Sequence, residues 1–188
     1  MLIPNAPRRR SGGFTLIEMM ITITVLGVLL VVGVPAMRSV LENGRIRTVG
    51  ESWKQGLALA RAEAVRRNAQ VEFEVITDAD ADADVDGWQV RLVSTGAVLH
   101  EGSGVEGVEG VDVTILPVDA TLVTYNPFGL VVAPNPDGSA PITQVDVEST
   151  NPPTNDDRYH PLRLQVLAGG MTRLCDPAVA DEDSRACL

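Results

Sequence analysis

The sequence predicts an α+β protein: a long N-terminal helix, with a transmembrane half and an amphipathic half, packed on a C-terminal antiparallel β-domain of one or two sheets. Three observations carry that expectation. Residues 14–34 form an apolar run that holds a single charge. After it, Ile46, Val49, Trp53, Leu57, Ala60 and Ala64 recur at steps of three and four, which places them on one face of a helix. From Val71 onward the apolar residues alternate instead, and Gly, Pro, Asn and Asp cluster between the alternating stretches, as strands and their turns require.

The first half of the helix follows from Arg8-Arg9-Arg10-Ser11-Gly12-Gly13-Phe14-Thr15-Leu16-Ile17-Glu18. Three arginines, a small-residue junction and a long apolar segment direct a chain to a membrane. As a helix, residues 14–34 cover about 32 Å against a hydrocarbon core of roughly 30 Å. Glu18 is the one charge inside, and an unpaired carboxylate in lipid is costly enough that its position asks for a partner. The nearest basic residues, Arg8 to Arg10, lie more than two helical turns upstream. A cut between Gly13 and Phe14 would create an amino group one turn from Glu18, able to pair with the Glu18 of a neighbouring copy. Two plainer readings stand beside this one. An ordinary secretory signal would be cut after Val34-Pro35-Ala36 to leave Met37 first, although such signals carry only about 7–15 apolar residues and no acid. A plain membrane anchor accounts for the length of the run but not for Gly13-Phe14 or Glu18.

Gly13-Phe14-Thr15-Leu16-Ile17-Glu18 resembles the class III signal of type IV pilins and type II secretion pseudopilins. The resemblance implies that a prepilin peptidase removes the leader 1–13 and N-methylates Phe14, that Glu18 acts in assembly, and that Pro35 kinks the helix. Two later regions are similar to the GspH/FimT group of minor pilins and pseudopilins. One is the helix end Ala58-Leu59-Ala60-Arg61-Ala62-Glu63-Ala64-Val65-Arg66-Arg67-Asn68 with Val71-Glu72-Phe73; the other is Tyr125-Asn126-Pro127-Phe128-Gly129 with Leu162-Arg163-Leu164-Gln165-Val166. The implied division is a leader at 1–13, a transmembrane helix at 14–34, the amphipathic half of the helix at 35–69 and a periplasmic or extracellular β-domain at 70–188.

A chain of 188 residues suits one soluble domain plus an anchor. Its net charge is −10, and loss of the leader removes three arginines and no acid, leaving 12 basic and 25 acidic side chains. Such a surface excludes nucleic-acid binding by bulk electrostatics, and an aromatic content of 4% argues against base-stacking platforms. Cys175 and Cys187 close a small loop near the C-terminus, which in an exported protein reads as a disulfide. With no CxxC pair and no histidine nearby, zinc is disfavoured.

Along the amphipathic half, Arg38, Glu42, Arg45, Arg47, Glu51, Lys54, Arg61, Glu63 and Arg66 occupy the positions outside the apolar stripe. Arg66, Arg67 and Asn68 end the helix with positive charge and a stop-prone residue. A continuous helix over 14–68 would be a rod of roughly 80 Å. Pro35, Gly44, Gly50 and Gly56 predict bends or local melting within it. Candidate strands are 71–77, 88–93, 111–116, 121–125, 142–148, 162–167 and 171–175, short enough and close enough to imply antiparallel pairing rather than parallel crossovers.

Few residues carry chemistry. Asp82-Ala83-Asp84-Val85-Asp86-Gly87 matches the first half of a calcium loop, with Asp82, Asp84 and Asp86 as oxygen ligands, but the twelfth position is Val93 where a bidentate Glu is needed. A solvated acidic turn is the favoured reading. His100 and His160 read as isolated loop histidines, and no Ser or Cys has a base at a recognisable spacing. The chain therefore reads as a non-enzyme without a cofactor. At the C-terminus, Gly170-Met171-Thr172-Arg173 resembles in part the Gly-Arg-x-Arg element by which FimT proteins of transformable bacteria contact DNA. Met171 stands at the first arginine, and Arg173 is followed by Asp176, Asp181, Glu182 and Asp183, so a turn before a disulfide-closed tail is favoured.

These readings converge on a minor pilin, held in the inner membrane with its β-domain in the periplasm, then built into a type IV pilus to start assembly or to sit near the tip. Its expected partners are the prepilin peptidase and the major and other minor pilins. The alternatives are a DNA-binding FimT-type pilin, a GspH-like pseudopilin of a type II secretion system, and a secreted or anchored β-domain with its own ligand.

Overall fold

The computed structural model describes residues 14–77, 85–103, 110–152 and 158–187, apart from the side chains at 32, 34–36, 86 and 103. The chain falls into two compact units, Met1–Arg38 and Ser39–Leu188. One helix, α1 (Leu16–Arg67), runs through both. It starts at an N-cap, where the Thr15 hydroxyl accepts a hydrogen bond from the Glu18 backbone N–H at 3.3 Å. It stops where Asn68 adopts a left-handed φ of 51°. There Ala69 N–H donates to the Ala64 carbonyl and Asn68 N–H to the Val65 carbonyl, the paired bonds of a Schellman ending.

The expected melting at the glycines does not occur, and the backbone stays helical through Pro35, Gly44, Gly50 and Gly56. Packing explains two of these positions. A Cβ on Gly56 would sit 2.7 Å from both Phe73 Cε2 and Trp88 Cδ2, and one on Gly50 would overlap the end of the Leu162 side chain. Absence of a side chain at these points lets the helix backbone approach the strands, which outweighs the weak helix propensity of glycine.

The Ser39–Leu188 unit holds two four-stranded antiparallel sheets. The first has the order β3-β2-β1-β5, built from β1 (Val71–Thr77), β2 (Val85–Leu92), β3 (Val98–Ser103) and β5 (Leu122–Tyr125). The second has the order β4-β6-β7-β8, built from β4 (Val111–Leu116), β6 (Gln144–Ser149), β7 (Leu162–Val166) and β8 (Thr172–Cys175). Alternation decides which face each strand buries. Val71, Phe73 and Val75 face the core with Trp88 and Val90, while Glu72 and Glu74 lie on the other face, where Arg91 bridges them. In the second sheet Val145, Val147, Leu164 and Val166 are buried, and Arg163 grips Asp146 across the strand pair with bonds of 2.7 and 2.9 Å.

The helix stripe read from sequence is the centre of this core: Ile46, Val49, Trp53, Leu57, Ala60 and Ala64 are each at most 1% exposed. Trp53, Phe73 and Trp88 form a chain of rings with successive centroids 5.6 Å apart, and Trp88 Nε1 donates to Ser52 Oγ. Among the described residues no further strand pairs with the outer edge of β5, which is covered by a loop that makes one antiparallel bridge, Tyr125 to Val131. Asn135, buried, accepts from Thr124 N–H through Oδ1 and donates through Nδ2 to the Leu122 carbonyl, so one side chain supplies both kinds of ladder bond.

Candidate assembly interface

Phe14 is 78% exposed, and every large apolar side chain described from Leu16 to Val31 is at least half exposed. The threonines of this stretch do not interrupt the apolar surface, because Thr22 and Thr24 turn their hydroxyls back onto carbonyls of the preceding turn. Glu18 sits in the first helical turn. There it faces the positive end of the helix dipole, a placement worth about 0.3–1 kcal/mol at an exposed site and independent of any neighbour. Thr15 and Glu18 hold the N-cap and N3 positions of a capping-box pattern, a signal legible in Thr15-Leu16-Ile17-Glu18 that the membrane reading passed over. Among the described residues no helix is long and apolar enough to cross a membrane. Gly13 and the rest of the leader lie outside the described residues, as does the side chain of Pro35.

In the larger unit, the tail is tied down at several points. Cys175 and Cys187 form a disulfide with Cα atoms 5.0 Å apart. Beside it Asp176 pairs in a parallel bridge with Ala186, and Arg173 Nη2 donates to the Ala186 carbonyl at 3.0 Å. Arg173 is thus half-buried and engaged in holding the tail. The preceding residues form the expected turn, with Gly170 at φ 77° and its N–H donating to the Leu167 carbonyl.

Neither histidine is isolated, which corrects the sequence reading. His100 lies on β3 with Nε2 3.5 Å from Glu63 Oε1. His160 Nδ1 lies 2.9 Å from Asp176 Oδ2, an oxygen fully buried; the contact is close enough for an ion pair but off the line of a hydrogen bond. His160 N–H in turn donates to Asn43 Oδ1 of α1, and Asn43 donates to the Arg158 carbonyl. This connection from tail to helix joins residues far apart in sequence, and nothing in the spacing of single Asn, His and Asp residues signals it. At the far end of α1, Arg66 and Arg67 both bind Glu63 and hold its carboxyl down at about pH 2. Among the described residues no group of acids, histidines and cysteines is arranged to hold a metal. Asp82 and Asp84 lie outside the described residues, as does the side chain of Asp86.

Two comparisons bear on this arrangement. Residues 8–34 match the prokaryotic N-terminal methylation motif, and residues 50–170 match the family described as type II transport protein GspH. No curated protein shows significant similarity. Among solved structures, the fold is similar to that of the type IV minor pilin FimU of Pseudomonas aeruginosa PAO1. That match has a TM-score of 0.53 at 16% identity and covers 75% of this chain and 96% of FimU. A second crystal form of FimU gives a TM-score of 0.49 at 18% identity, over 73% and 98% of the two chains. The family match spans more than half of the sequence, and the chain belongs to the GspH/FimT group of type IV minor pilins and pseudopilins.

Proposed function

We propose that this protein is a non-catalytic minor pilin, cut between Gly13 and Phe14, N-methylated at Phe14, anchored in the inner membrane by residues 14–34 and then built into a type IV pilus at or near its tip. The observation that carries the reading is the methylation motif over 8–34 lying on a capped helix whose apolar side chains are exposed on all sides. Such a surface, in water, would be covered by lipid or by other helices. In this scheme Glu18 draws in the terminal amine of an adjacent subunit, and Pro35 bends the helix. The acidic, disulfide-closed body faces the periplasm and sets which subunits meet it.

The test is N-terminal sequencing of the exported protein with quantification of the chain in sheared filaments. Phe14 is expected as the first residue, with the mass of an added methyl group. Glu18→Val is expected to leave cleavage intact and to remove the protein from filaments; normal incorporation of that variant sinks the assembly role. A chain beginning at Met37 would indicate ordinary secretion.

A pseudopilin role in type II secretion is the second reading, favoured by the family description over residues 50–170. The DNA-binding reading gains no support, since Arg173 is occupied by the Ala186 carbonyl.

A further inference from the structure

Five large apolar side chains gather at the C-terminal end of α1. Phe128 is 82% exposed, and Val65, Leu130, Leu167 and Met171 are between 43% and 59% exposed. They come from three segments: the last turns of α1, the 126–130 turn and the 167–171 turn. One guanidinium ties the three together, because Arg61 donates through Nε to the Gly129 carbonyl at 3.0 Å and through Nη2 to the Gly169 carbonyl at 3.4 Å. The two turns are also joined directly, by Val131 N–H donating to the Ala168 carbonyl. Within the first of them the Asn126 side-chain oxygen accepts from both Phe128 N–H and Leu130 N–H. An apolar patch this contiguous marks an interaction site, and one held this firmly loses little freedom when it is covered.

Beside Met171 the surface is concave. Ala58, Ala62 and Val65, an exposed row of α1 at steps of four and three, form a trough of about 600 Å³ with Gly170, Met171 and Thr172. The row rises about 10 Å along the helix, two turns, and its small side chains let a second backbone come close. Charge is as uneven here as shape. Segments 58–69, 125–134 and 165–173 hold four arginines and one acid, Glu63, in a chain of 25 acidic and 15 basic side chains. That one carboxyl is shared, since Glu63 Oε2 lies 2.6 Å from both Arg66 Nη2 and Arg67 Nε, and His100 contacts its other oxygen at 3.5 Å. Arg61 and Arg173 donate to backbone carbonyls, which carry no compensating charge. The trough is therefore edged by net positive charge on an acidic protein.

We propose that this face receives an acidic amphipathic helix of a different pilin subunit. Its apolar stripe lies in the trough against Met171, with Phe128 on its flank, and its carboxylates face Arg66 and Arg67. A second copy of this chain offering the same face would set arginine against arginine. Duplex DNA would leave the apolar floor against phosphates, which gain nothing from it. The inference deepens the minor-pilin reading and rests on it for the source of the helix; the preference for an acidic, apolar segment comes from the shape and charge of the face.

The experiment uses the full chain carrying Phe128→p-benzoylphenylalanine in the cells that make the filament. After illumination, mass spectrometry is expected to find a cross-link from residue 128 to a helical peptide of another pilin that has Asp or Glu beside its apolar stripe. Cross-links only to this chain, to a protein other than a pilin, to lipid or DNA, or to nothing overturn the proposal. Affinity is then measured between the purified full chain and the cross-linked pilin in detergent micelles. Phe128→Ala is expected to weaken it about thirtyfold, as loss of an aromatic anchor does, and Arg66→Glu about tenfold. Reversing the partner's facing acid to arginine should weaken binding of the parent and restore that of Arg66→Glu, a rescue that misfolding would not give. Unchanged affinity in both Phe128→Ala and Arg66→Glu overturns the contact. Sequencing the N-terminus of the same samples separates two failures. A chain cut at Phe14 and found in filaments without the cross-link loses the docking face alone, and an uncut chain that cross-links as expected loses the processing reading alone.

Discussion

Replacing Gly56 by alanine puts a methyl group 2.7 Å from two aromatic carbons, Phe73 Cε2 and Trp88 Cδ2. Neither ring can yield alone: Phe73 is stacked on Trp88 and backed by the tilted Trp53 ring, and Trp88 is held by its bond to Ser52. Overpacking of this kind costs about 1–3 kcal/mol, and the rigidity of the rings argues for the upper end. Alanine recovers about 1 kcal/mol of helix propensity, so the net loss is about 2 kcal/mol. Gly44 is the control. It is exposed, a Cβ there meets nothing within 4 Å, and Gly44→Ala should add about 1 kcal/mol. Gly50→Ala should fall between the two, because its clash is with the movable end of Leu162. For a body of this size about 1 kcal/mol moves the melting point by about 2–4 °C, which puts Gly56→Ala about 4–8 °C below the parent and Gly44→Ala about 2–4 °C above it. Thermal melts followed by fluorescence read the core directly, since Trp53 and Trp88 are both buried in it. A Gly56→Ala protein that melts at or above Gly44→Ala would refute close approach of the helix to the rings.

Three further outcomes follow from individual groups. The Tyr125 hydroxyl is buried with no hydrogen-bond partner among the described residues, so Tyr125→Phe should be neutral or stabilising by about 1 kcal/mol in urea denaturation. Burial also pushes the Tyr125 phenol well above its usual pKa of 10; stability is therefore complete below pH 10 and lost as pH rises beyond it, and melts of the Tyr125→Phe protein at high pH should lose less. Glu63, held at about 2 rather than 4.5 by its two arginines, contributes stability that is complete above about pH 4.5 and fades as pH falls through 2; Glu63→Gln should flatten the urea midpoint across that window. Cys187→Ser should lower stability by about 2–4 kcal/mol, measured as a drop in melting point that reductant reproduces in the parent and not in the variant.

Much of the architecture was legible because single periodicities dominate it. The stripe from Ile46 to Ala64 needed only a step of three or four to be placed, and β1 and β4 fall at the predicted residues because their alternation is clean. Strand β3 was missed for an equally physical reason. Its sequence Val-Leu-His-Glu-Gly-Ser has no alternation, since it is an edge strand whose Gly102 is required by the Trp88 ring beneath it. The glycines of α1 were misread on the same ground: propensity is a local quantity, whereas the reason for Gly50 and Gly56 lies in strands that follow them in the chain.

The N-terminal motif and the tail differ in the same way. The N-terminal methylation motif is contiguous in sequence, so its residues can be named without a fold. The anchor of the tail is assembled from parts distant in the chain, so Asn43, His160 and Asp176 look like ordinary polar residues until they are seen joining the helix to the tail. Contacts that close the body are therefore the ones that sequence patterns hide and that folding brings into view.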